Sequence, residues 1–171
     1  MSKFVRVLAL GAFALAPCAA LSAPMPVSMV GVGPHGYDFM IGSWSCTNTV
    51  PSRLGGPSNS SFTISRSVNG ALFVHSTAAN YDTSSYVVYS PKTKTWWSPT
   101  AYADGSYNLE STRQTGAKTI WTGTLFDAAS GTTNPIRDTF TFPNSTTQTD
   151  VTQVHAGGIW KTVANTTCTK S

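Results

Sequence analysis

The side chains of this 171-residue chain that could do chemistry are few: three histidines, seven carboxylates and three cysteines. His35, His75 and His155 have no partner at metal-ligand spacing, and no third ligand suggests itself, so no metal site is expected. By the two-residue period, His75 shares a strand face with Phe73, and His155 shares one with Val151 and Gln153. Either could act as a base only if other polar groups converged on it, and the plainer reading is a solvated or hydrogen-bonded ring. The acids Asp38, Asp82, Asp104, Glu110, Asp127, Asp138 and Asp150 mostly flank turns, and none offers an evident acid–base pair. Serine and threonine abound, yet none sits in Gly-x-Ser-x-Gly, and strand propensity accounts for their number. No catalytic residue is assigned.

The cysteines say more. Lys3 and Arg6 precede the apolar run Val7–Ala16, and small residues follow to Ala23, the layout of a secretory signal peptide over residues 1–23. The run is too short for a comfortable bilayer span, so the mature chain is expected to have no transmembrane segment. Leu15-Ala16-Pro17-Cys18 also outlines a lipobox, but Pro17 stands where a small residue is expected. Ordinary cleavage is therefore adopted, with lipid anchoring at Cys18 as the alternative. Either way the protein is expected to be exported, periplasmic or secreted. Cleavage removes Cys18 and leaves Cys46 and Cys168, which can form one disulfide in an oxidising compartment or remain as buried thiols. It also removes two of the eleven basic residues; nine basic against seven acidic side chains remain, a net charge of +2. With no basic run left, the mature domain lacks the footprint of a nucleic-acid binder.

The elements that must position these residues read as strands. Only 11% of residues are charged, and Glu110 is the one glutamate, too little charge for long surface helices. Residues 24–36, with Pro24, Pro26 and Pro34, read as a flexible lead-in. From Tyr37 onward, about ten alternating segments follow one another through short turns: Phe39–Asn48, Ser61–Ser67, Leu72–Asn80, Tyr86–Tyr89, Thr95–Ala103, Tyr107–Arg113, Thr119–Asp127, Arg137–Phe142, Thr147–His155 and Ile159–Thr169. Asn69-Gly70 and Asp104-Gly105 are strong hairpin signals. Consecutive hairpins imply an all-β, up-and-down antiparallel meander, which closes into a barrel of about 8–10 strands over 37–171 to remove its edges. A two-sheet sandwich would need Greek-key connections, which are hard to find here.

Gly42-Ser43-Trp44-Ser45-Cys46 resembles the first strand of lipocalin-like, calycin-type barrels, and is similar to that of uncharacterised exported bacterial proteins with a second cysteine near the C-terminus. The resemblance implies that Trp44 packs across a closed barrel end. A loose echo of a second signature stands at Asn80-Tyr81-Asp82, and Lys161 is the basic residue offered to cover the tryptophan. From the residues themselves, Gly42 permits a close approach to the strand. Trp44 and Cys46 share one face, as do Trp160 and Cys168, so a Cys46–Cys168 bridge is expected beside Trp44 and Trp160.

Some aromatic side chains must fill the barrel. Phe73, His75, Tyr86, Val88, Trp97, Trp121 and Phe140 are the candidate ligand-binding residues, and Gly42, Trp44 and Trp160 the structural ones. The leading expectation is a non-enzymatic barrel that holds a small apolar or amphiphilic molecule. The alternatives are an envelope-associated barrel with a filled core, or an enzyme using His75 or His155. No cofactor is expected, haem on His155 being a remote possibility by resemblance to haem-binding barrels that take an iron ligand from a late strand.

Overall fold

A computed structural model of the chain describes residues 33–50, 59–77, 82–114 and 116–171. The signal peptide, Cys18, most of the lead-in and the Asn80-Tyr81 echo lie outside the described residues. Ten strands follow in order: β1 (Gly42–Val50), β2 (Asn59–Arg66), β3 (Leu72–Thr77), β4 (Thr83–Ser90), β5 (Thr95–Tyr102), β6 (Tyr107–Thr112), β7 (Lys118–Asp127), β8 (Thr132–Asn144), β9 (Thr147–Ala156) and β10 (Ile159–Lys170). Each pairs antiparallel with its neighbours in sequence, and β1 pairs with β10, so the meander closes on itself. No described helix is long and apolar enough to cross a membrane. The architecture is compatible with a lipocalin-like barrel.

The seam joins the two ends of the domain. Cys46 lies opposite Cys168 in the β1–β10 register, and the two form a disulfide closing a sequence separation of 122. The bridge is buried beside Trp44 and Phe62, whose rings stack at 5.9 Å. Trp160 is not there. The β9–β10 register shifts between Thr162 and Ala164, so Val163 is an extra residue and the facing of the strand reverses across it. Thr166 and Cys168 face the interior, whereas Trp160 lies outside against His155 and beneath the Arg137 guanidinium, 4.5 Å away.

One end of the barrel is plugged by the residues just before β1. The expected strand start at Phe39 is a 3-10 turn instead, Asp38–Met40, and the strand begins at Gly42. This turn drops Tyr37 between Trp96 and Trp121, with ring centroids 4.8 and 5.8 Å away, and sets Phe39 edge-on to Phe142. Ile64 and Leu72 complete the buried cluster. Trp44 anchors the turn from the side, its indole N–H donating to the Met40 carbonyl at 2.8 Å. Asp38 is held by Arg66 and by His35, 2.8 Å away. The cation covering Trp44 is Lys170, not Lys161: its Nζ stands 5.7 Å from the ring centroid and donates to the Phe39 carbonyl at 2.9 Å. Gly42 makes room for it, since a Cβ there would meet Lys170 Cε at 2.7 Å. The glycine, the tryptophan and the last strand thus form one device that fixes the plug.

Candidate functional site in the barrel interior

Above the plug the barrel encloses a cavity of about 320 Å³, within the lower range of small-molecule sites. Its floor is apolar: Tyr37, Ile64, Phe62, Trp121, Phe140 and Phe142. Over the floor runs a polar belt that follows the register from strand to strand. Ser60, Ser76, Ser85 and Thr100 on β2–β5 supply hydroxyls. Asn108, Glu110, Asp138 and Asp150 on β6, β8 and β9 supply amide and carboxyl groups, and Thr166 and Asn48 continue the belt across the seam. Beyond it, Leu125, Ile136 and Val154 pack with Tyr102 and Val163 at the far end.

Local strand geometry brings the acids together. Glu110 lies opposite Gly123 on β7, and Asp138 lies opposite Trp121 on the same strand. Gly123 occupies the inward-facing position between Trp121 and Leu125, both buried, so no side chain stands between the two carboxyls. Past β7 the charge of Asp138 acts on Glu110. Asn108 Nδ2 donates to Glu110 Oε2 and to the Tyr102 hydroxyl, each at 3.2 Å. Thr152 lies opposite Asp138 in the β8–β9 register, two residues after Asp150 on the same strand.

Burial holds Glu110 well above the usual carboxylate range, and the charge of Asp138, the hydrogen bond to it and the charge of Asp150 push the same way. Asp150 is raised well above its ordinary value by burial and by Asp138. Asp138 is raised by burial, with hydrogen bonds from Glu110 and Thr152 pulling it back. Burial thus raises the proton affinity of Glu110 and Asp138 as a pair. The Tyr37 phenol, pushed up to about 12 by burial, stays neutral.

These shifts fix the sign of a pH effect. A carboxyl whose folded pKa is raised binds protons more tightly in the folded state, so its contribution is complete below the unfolded value, about 4. That contribution is lost as the pH rises through the raised folded values. Urea unfolding should therefore show a higher midpoint near pH 5 than near pH 8, and Glu110→Gln should flatten the difference. A midpoint that rises with pH and ignores Glu110→Gln would contradict the assignment.

Of the seven residues expected to face a ligand, Trp121 and Phe140 line the cavity. Phe73, His75, Tyr86, Val88 and Trp97 do not. Their strand neighbours Val74, Ser76, Ser85, Val87 and Ser98 face the interior, which turns these five to the outer wall. Tyr86, Val88 and Trp97 are 46%, 41% and 41% exposed, and Phe73 packs on Tyr86 and His75. In the Trp96-Trp97 pair it is Trp96 that is buried. His155 also lies outside, beside Trp160, so neither histidine offers a base or an interior haem ligand to the cavity. Sequence reasoning missed the acids because β6 reverses the familiar pattern: Tyr107 and Leu109 face solvent while Asn108 and Glu110 face inward. The one available signal was the mid-strand placement of Glu110, Asp138 and Asp150, away from the turns.

The fold and site define a closed ten-stranded antiparallel barrel whose cavity has an apolar floor and an acidic wall. A scan against protein-family models and a search of curated proteins each gave no match for the chain.

Proposed function

We propose that this is an exported barrel of the lipocalin-like, calycin type that binds a small amphiphilic molecule in its interior, with no catalytic role. The observation that carries the reading is the cavity itself, with aromatic side chains at one end and polar groups at the other. A molecule with an apolar body and a polar end matches that division. An envelope barrel with a filled core is disfavoured by the same cavity. Export to the periplasm or the medium is supported by the leader-like residues 1–23 and by the Cys46–Cys168 bridge.

Native mass spectrometry of the purified protein tests the reading, the expected result being a bound species of small mass. Affinity for that species should fall about tenfold or more in Phe140→Ala, which removes a wall of the cavity, and stay unchanged in Trp97→Ala on the outer face. The reverse pattern would place binding on the outer wall and sink the interior reading. The carboxyls of Glu110 and Asp138, both in the cavity and both raised in proton affinity, support a second reading, an acid–base enzyme with these carboxyls in place of His75 or His155. Recovery of the bound molecule chemically unchanged after prolonged incubation separates the binder from the enzyme.

A further inference from the structure

We propose that the molecule held in the barrel is a cation, a protonated amine or amidinium on an apolar body, seated among Glu110, Asp138 and Asp150. The inference rests on the reading of the cavity as a binding site and specifies the chemistry of its occupant.

The first argument is the inventory of the wall. Three carboxyls converge on the cavity from β6, β8 and β9, and no lysine, arginine or histidine is among the described residues that line it. The neighbouring cations are engaged elsewhere: Arg137 with Gln153 on the outer wall, at 2.7 and 3.0 Å, and Lys170 with the Phe39 carbonyl.

The second argument is independent of charge. Asn108 and Gln148, only 4% and 3% exposed, both line the cavity, and each has a side-chain oxygen without a hydrogen-bond donor. Asp150 Oδ1 is in the same position. The amide oxygens of Asn108 and Gln148 can only accept. Buried acceptors left without donors are costly, and an occupant carrying N–H groups would supply donors to them. An ammonium supplies three donors and an amidinium four, whereas an alcohol supplies one.

The third argument is position. Asp138 pairs across the strands with Trp121, and Asp150 pairs with Phe140. Acid and aromatic side chains therefore alternate at the boundary between belt and floor. A cation there meets carboxylates above and ring faces below, while its apolar body rests on the floor. Burial raises the proton affinity of this cluster, so binding of a cation should be accompanied by release of a proton.

Calorimetry on the disulfide-bonded protein at pH 7.5 and low salt tests the proposal with two probes of nearly equal shape, 1-naphthylmethylammonium and 1-naphthylmethanol. Titrations run in two buffers of different ionisation enthalpy count the protons released. The ammonium should bind at least roughly tenfold more tightly than the alcohol, the order expected of hydrogen bonds to charged groups, and should release about one proton. Glu110→Gln and Asp150→Asn should each remove most of that preference, whereas Trp97→Ala on the outer wall should leave both affinities unchanged. The proton count on the unaltered protein stands even if a variant does not fold. Equal binding of both probes without proton release overturns the cationic occupant but leaves the barrel reading intact. A preference that survives both substitutions places the cation elsewhere and also overturns the proposal. Binding of neither probe defeats the interior-site reading and this inference with it.

Discussion

Removing the Cys46–Cys168 bridge, as Cys46→Ala with Cys168→Ala, is expected to lower the unfolding free energy by about 5 kcal/mol. The reason is the size of the loop. With a sequence separation of 122, nearly the whole barrel lies between the two cysteines, and the chain-entropy cost of closing so long a loop is near its upper end. The bridge also pins the β1–β10 pairing, which the chain order does not enforce. Every other strand pair is a hairpin between neighbours in sequence, whereas the seam joins the two ends of the domain. A typical domain has a total stability of about 5–15 kcal/mol, so the loss is a large share of the whole. Both cysteines are buried, and a reductant reaches them only from opened states, which makes the double variant the cleaner measurement. Urea unfolding of the double variant should give a far lower midpoint than the oxidised protein. Coincident transitions would show that the seam's hydrogen bonds close the barrel unaided.

The second large effect is expected from Gly123→Ala. A Cβ at this position would stand 1.9 Å from the Leu109 carbonyl oxygen and 2.7 Å from Glu110 Cα. Both are backbone atoms of β6, so no side chain can rotate away; the strand itself has to move. Overpacking commonly costs about 1–3 kcal/mol, and a collision with backbone belongs at the top of that range or above it. The strand that must move carries Asn108 and Glu110, so the damage reaches the cavity as well as the fold. The variant should show a lowered urea midpoint together with loss of the Glu110-dependent pH effect on stability. The neighbouring Thr124→Ala, on the exposed face, should change little. An unaltered midpoint in Gly123→Ala would mean that β6 and β7 part at no cost and that Gly123 is not what lets the acids meet.

Much of the fold is legible in the sequence. All ten strands overlap the segments that alternation and turn residues pick out, and Asn69-Gly70 and Asp104-Gly105 separate consecutive strands, but β8 begins at Thr132, five residues before the expected Arg137. The errors fall at element ends, as with Phe39, where a 3-10 turn displaces the strand start, and at the β10 bulge, where one extra residue moves Trp160 to the outside. Neither leaves a mark in an alternation count, because a bulge looks like any other residue until its partner strand is known.

The candidate site was much less legible. Of the seven candidates, Trp121 and Phe140 line the cavity, whereas Phe73, His75, Tyr86, Val88 and Trp97 lie on the outer wall. On β3, β4 and β5 both faces carry apolar residues, so the two-residue period says which side chains travel together but not which way they point. On β6 the pattern misleads outright, since an interior that keeps a cavity can face it with Asn108 and Glu110 and leave Tyr107 and Leu109 to solvent.

The sequence by itself determined the strands, their order and the pair of cysteines that could join first to last. These depend on local propensity and near-neighbour turns, which are written in consecutive residues. Only the tertiary structure decided which face of each strand looks inward, that Tyr37 is the plug, and that Glu110, Asp138 and Asp150 share one cavity. Those acids are separated by 28 and 12 positions and brought together by strand register past Gly123. Register depends on pairing between strands, and no stretch of sequence read alone contains it.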